Sequence, residues 1–155
     1  MTQIRLHNLQ TRHRLQLRQT QQLERILKEM VRLSELDRRL QPGDEIIVNL
    51  VDTETIARLN REHLGHDGPT DVISFAYHLA DDSTPAVPHR AAGELFICPE
   101  IAAECTAATA CEAPHPAGPP ATGSLGEEFV LYCVHGILHL CGFDDQTKQE
   151  QRQMR

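Results

Sequence analysis

Apolar residues recur at helical spacing through Gln19 to Leu40, where Leu23, Ile26, Leu27, Met30, Leu33 and Leu36 form one stripe, and Pro42-Gly43 closes the element. A short first strand is expected at Ile4 to Asn8. Beyond the helix, Glu45 to Val51 alternates as a strand, Thr53 to His63 reads as a helix, and Asp71 to Tyr77 and Glu94 to Cys98 read as further strands. Pro99 can start a helix reaching to about Cys111. The four prolines and two glycines of Ala113 to Gly123 make a loop. Ser124 and Glu127 have the spacing of a capping box that opens a helix at about Leu125, and that helix is apolar on most sides, which implies burial. Gln146 to Arg155 reads as a short, polar last helix. Helices and strands interleave, and the segment after the loop is too short to fold alone, so residues 1–155 are expected to form a single domain.

Composition narrows the class. A chain of 155 residues, 40% of them hydrophobic, can bury a core without disulfide or metal staples. Five cysteines at no paired spacing argue for a reducing compartment, and the cytoplasm is the expected location. The most apolar stretch, Phe129 to Phe143, is too short for a bilayer and contains two histidines, so no membrane role is expected. The net charge is −7, yet residues 1–40 carry nine Lys or Arg against four Asp or Glu. Such a run is most often a solvated helix face. As an RNA contact it would use Arg12, Arg14, Arg18 and Arg25.

The chemistry concentrates in His135-Gly136-Ile137-Leu138-His139-Leu140-Cys141-Gly142-Phe143-Asp144-Asp145. Residues i and i+4 lie one helical turn apart on one face, so His135 and His139 can grip one ion. Gly142 ends the helix in the left-handed conformation, and the turn brings Asp145 towards the same ion as third ligand, with its neighbour Asp144 as the alternative or as an orienting group. Three ligands leave a coordination position open, the arrangement of a catalytic site. Metzincin proteases share the spacing but carry a glutamate after the first histidine as general base. Gly136 stands there, so a peptide hydrolase is the weaker reading. Cys133 and Cys141 are of ligand type, yet Cys141 lies about 200° round the helix from His139, and core packing is expected for both. His63, His66, His78, His89 and His115 lack paired spacing and are assigned no chemistry.

These residues resemble the YbeY-type rRNA maturation endoribonucleases, whose signature reads approximately HGxLHLxGYDH. The resemblance extends to Leu59-Asn60, to the block GHDGPTDVISF at Gly65 to Phe75, and to Gly93-Glu94-Leu95-Phe96-Ile97-Cys98. It implies an α+β fold in which a small mixed β-sheet of about four strands carries helices around a buried central metal-binding helix. It further implies a metal-dependent, single-strand-specific endoribonuclease acting on the 3′ end of small-subunit rRNA and in ribosome quality control. The partners would be rRNA and the small ribosomal subunit, with no DNA, and the cofactor one zinc ion or another divalent transition metal. Two positions depart from the family: Asp145 replaces its third histidine, and Leu64 replaces its arginine. Arg61, three residues before Leu64, is the expected replacement for phosphate binding, and Thr70 and Ser74 are expected on the substrate side. No side chain of the motif is an evident general base, which leaves Asp144 or Asp71. Without the family arginine, a non-catalytic metal-binding ribosome-assembly factor is the competing class.

Overall fold

The computed structural model describes residues 3–11, 17–77, 89–101 and 127–143. Their elements are β1 (Gln3–Asn8), α1 (Leu17–Leu33), a 3₁₀ turn (Leu36–Arg39), β2 (Asp44–Leu50), α2 (Thr53–Leu59) continued by a π-helical turn (Asn60–Leu64), β3 (Val72–Ala76), β4 (Arg90–Ile97) and α3 (Glu127–Leu140). The sheet order is β1-β2-β4-β3, with β1, β2 and β4 parallel and β3 antiparallel at one edge. The fold is therefore α+β on a mixed four-stranded sheet, as expected.

The strand period of two sorts the sheet into a largely apolar face and a mixed one. Ile4, Ile46, Val48, Leu50, Leu95 and Ile97 point to one side, where they bury against Leu23, Leu27 and Val31 of α1 and Phe129, Cys133, Ile137 and Leu140 of α3. On the other side Ile73 and Cys98 pack with Val51 and with Ile56 of α2, supported by Phe75 and Phe96. The rest of that side is polar. His7 Nδ1 meets Asn49 Oδ1 at 3.2 Å, Asn49 Nδ2 donates to Glu94 at 2.6 Å, and the Tyr77 hydroxyl donates to Glu94 at 2.8 Å.

Two expected boundaries move by several residues. The helix expected over Gln19 to Leu40 stops at Leu33 and resumes as the 3₁₀ turn, because Glu35 adopts a left-handed φ of 58°. No glycine marks that break. The buried stripe is accordingly Leu23, Leu27 and Val31, and Leu33 is 67% exposed. β4 starts at Arg90, four residues before the expected Glu94, because Arg90 is anchored by donating from Nε to the buried Asp44 carboxylate at 2.8 Å. The helix at Thr53 keeps its span but widens into the π turn at Asn60. The expected capping box at Ser124, the loop over 113–123 and the last helix over 146–155 lie outside the described residues, as does all but the first turn of the helix at Pro99. No described helix is long and apolar enough to cross a membrane.

Candidate metal centre

Helix α3 lies across β3 and β4, and Gly136 sets how close it comes. A Cβ built on Gly136 would stand 3.0 Å from side-chain methyls of both Leu95 and Val72, tighter than ordinary van der Waals contact. The same glycine that removes a metzincin-type base thus faces the sheet. A longer side chain at 136 would start out against the Leu95 and Val72 methyls of the core. Ser74, on the α3 side of β3, donates its hydroxyl to the Gly136 carbonyl at 3.2 Å and fastens the helix to the edge strand.

His135 and His139 stand together one turn apart, ring centroids 4.4 Å apart and planes nearly perpendicular, with Nε2 facing Nε2 at 2.9 Å. The orientation of His139 is built by the helix end. Gly142 takes φ 88°, its N–H donates to His139 O at 2.9 Å, and the Phe143 N–H donates to Leu138 O at 3.1 Å, the two bonds of a Schellman motif. That turn brings the Phe143 carbonyl to 3.0 Å from His139 Nδ1. A carbonyl only accepts, so Nδ1 carries the proton and Nε2 presents its lone pair towards His135. Backbone carbonyls commonly orient metal-bound histidines in this way. Arg39 donates to Cys141 O at 2.7 Å, placing a cation on the carbonyl end of α3.

The pair fits a tetrahedral ion. Nitrogens held about 2.0–2.1 Å from a zinc ion lie roughly 3.3–3.4 Å apart, so His135 and His139 need to part by only a few tenths of an ångström. Among the described residues no group of three His, Cys, Asp or Glu converges on one point. The expected third ligand Asp145, and Asp144 beside it, lie outside the described residues. Cys133 is fully buried in the core, where burial alone pushes its thiol up to about 12, and Cys141 is half-buried against the same cluster.

The other expected site residues lie at the start of β3 and on the π turn after α2. Thr70 donates to Asp71 Oδ1 at 2.9 Å, and the same oxygen accepts the Val72 N–H at 2.9 Å, so Asp71 caps the entry to β3. Arg61 is exposed on the π turn, where it lines a surface cavity of about 340 Å³ with Glu54, Arg58 and Gly68, and Leu64 on the same turn is 52% exposed. The turn is held by buried Asn60, whose Nδ2 donates to Gly68 O at 2.9 Å. Ser74, expected on the substrate side, is bonded to the Gly136 carbonyl, and the residue types did not foretell this part or those of Phe143 O and Asn60, because each acts through a backbone carbonyl.

Residues 5–155 match the family Endoribonuclease YbeY. The chain belongs to the YbeY endoribonuclease family. Endoribonuclease YbeY of Protochlamydia amoebophila is 36% identical over 128 residues, covering 83% of this chain and 71% of the relative. That of Thermobifida fusca is 37% identical over 121 residues, covering 75% and 68%. That of Rhodopirellula baltica is 42% identical over 108 residues, covering 70% of this chain and 47% of the relative. The solution structure of a Thermotoga maritima protein aligns over 99% of this chain and 84% of its own, at 24% identity and a TM-score of 0.48. Membership of the YbeY family agrees with the resemblance read from the signature. His135 and His139 of the signature stretch are turned towards each other by the fold.

Proposed function

We propose that this chain is a metal-dependent endoribonuclease that cleaves single-stranded RNA in maturation of the small-subunit rRNA 3′ end and in ribosome quality control, in the cytoplasm. The observation that carries the metal part is the facing Nε2 pair of His135 and His139, with His139 fixed by the Phe143 carbonyl. His135, His139 and Asp145 hold one zinc or other divalent transition ion, with Asp144 as the alternative third ligand. Bound there, the ion supplies Lewis-acid chemistry towards a phosphodiester. The remaining work falls to the chain. Gly136 and Ser74 set the depth of the histidine-bearing helix, and the Schellman turn fixes the ring of His139. Arg61, exposed on the π turn, offers a planar guanidinium to phosphate oxygens in place of the family arginine. The proton taken in the reaction goes to Asp144 or Asp71.

The test is cleavage of an rRNA 3′-precursor fragment by metal-loaded protein, with a His139→Ala preparation alongside. Cleavage lost in the variant supports the reading. Equal cleavage by both, or none by either, overturns it in favour of a non-catalytic ribosome-assembly factor, which the exposed Leu64 in the arginine position favours as second reading.

A further inference from the structure

Edge strand β3 carries a row of rings on the face turned away from α3. Phe75 and Tyr77 alternate onto that face, their planes within 7° of parallel and their centroids 6.5 Å apart. His63, reaching over from the π turn, meets Phe75 edge-on at 5.1 Å, and Phe96 supports Phe75 from the sheet at 5.9 Å. Tyr77 is 46% exposed and His63 is exposed, so the row ends in solvent and does not close the core. It is also held still. The Tyr77 hydroxyl donates to Glu94 Oε2 while Asn49 donates to Oε1, so both oxygens of that carboxylate are engaged within the sheet. An exposed, pre-positioned aromatic surface loses little freedom when a flat partner settles on it.

We propose that His63, Phe75 and Tyr77 form a nucleobase-stacking subsite for single-stranded RNA, leading the strand round the β3 edge to the histidine pair. The subsite rests on the RNA reading of the metal centre and adds where the bases are held. Three observations support it. Aromatic rings stack on any base, whereas bases of a duplex are already stacked, so such a row favours single strands without reading sequence. Arg61 sits two residues before His63 on the same turn, exposed and in no ion pair among the described residues, which sets a phosphate-binding cation beside the rings. Finally, Ser74 precedes Phe75 and is bonded to the carbonyl of Gly136, next to His135, so the two faces of one strand connect subsite and metal helix.

The experiment compares binding of an eight-nucleotide oligoadenylate with that of an abasic ribose-phosphate strand of equal length and charge, at one salt concentration, by fluorescence anisotropy. Stacking of one base on Tyr77 predicts that Tyr77→Ser weakens oligoadenylate binding by about tenfold and leaves the abasic strand unchanged. Tyr77→Phe keeps the ring and stays within about twofold of wild type. Tyr77→Leu, which keeps apolar bulk, follows Tyr77→Ser and guards against a folding artefact. The chain has two tyrosines and no tryptophan, so in a Tyr132→Phe background quenching of tyrosine emission reports Tyr77 alone. If folded Tyr77→Ser binds oligoadenylate as wild type does, or loses both strands equally, the subsite is wrong while the nuclease reading stands. If wild type neither binds nor cleaves RNA, both are wrong.

Discussion

Gly136 offers the sharpest test of how the metal helix is seated. Replacing it with alanine gives the helix about 1 kcal/mol of intrinsic preference. Against that, the new Cβ meets Leu95 and Val72 methyls at 3.0 Å, and Leu95 is fully buried. Overpacking of this kind costs about 1–3 kcal/mol. Relief by lifting α3 off the sheet stretches the 3.2 Å bond from Ser74 to Gly136 O towards loss, a further roughly 0.5–1.5 kcal/mol. The net expectation for Gly136→Ala is a destabilisation of about 2 kcal/mol, which for a chain of this length lowers Tm by roughly 4–8 °C. Thermal unfolding followed by far-ultraviolet circular dichroism measures it. A Tm at or above wild type would show that helix propensity outweighs the contact and that the close approach is not tight. Gly136→Glu is the more severe case: its carboxylate would enter the apolar layer, at a cost of several kcal/mol against a total stability of about 5–15 kcal/mol, so the variant should not fold. A folded Gly136→Glu protein with peptidase activity would refute the claim that this position faces the sheet.

Single contacts lead to further expected outcomes. His135→Ala and His139→Ala should each lose stoichiometric binding of Co²⁺, read from its visible absorption, and undiminished binding by either would remove the pair as ligands. Asp145→Ala should lower metal content; if it does not and Asp144→Ala does, Asp144 is the third ligand. Asn60→Ala should loosen the turn carrying Arg61 and cost about 1–2 kcal/mol, since the Gly68 carbonyl loses its donor; urea unfolding at the wild-type midpoint would contradict this. Glu45, buried beneath Arg5 and His89, has its carboxyl held below the usual carboxylate value of 4.5, chiefly by the hydrogen bond from His89 and then by Arg5. A lowered folded-state pKa gives stability that is present above about pH 4.5 and lost as pH falls through the folded value. The stability gap between wild type and Glu45→Gln should therefore be full at pH 7 and shrink below pH 4.5, and a gap constant with pH would rule out the ion pair as its source.

The elements that were legible from residues alone are those whose signal is local. The i, i+4 histidines followed by Gly142 specify helix, face and stop within one stretch, and the structure brings the two imidazoles to 2.9 Å. Glu35 is the opposite case: a non-glycine residue in left-handed backbone has no mark in the sequence, and the stripe through Leu33 continued past the break. Arg90 extends β4 through an ion pair with Asp44, forty-six positions away, which periodicity cannot see. At the site, residue types pointed to ligands, while the parts that orient them act through carbonyls of Phe143, Gly136 and Gly68. Gly136 was legible as the absence of a base but not as a packing requirement, because that needs the positions of Leu95 and Val72. His63, assigned no chemistry for lack of a paired histidine, has its partner in Phe75 on another element.

Cys133 lies two residues before His135 but buried in the core, and that bears on which ion the proposed centre would select. Burial raises its thiol to about 12, so Cys133 would offer an ion no thiolate. Soft ions such as Cu⁺ draw their affinity from sulfur and would gain nothing from Cys133, whereas borderline divalent ions would be served by imidazole with carboxylate. Under the proposed metal reading, discrimination against mismetallation would begin in the core, where Cys133 is held out of reach of the ion and nitrogen and oxygen are left to bind it.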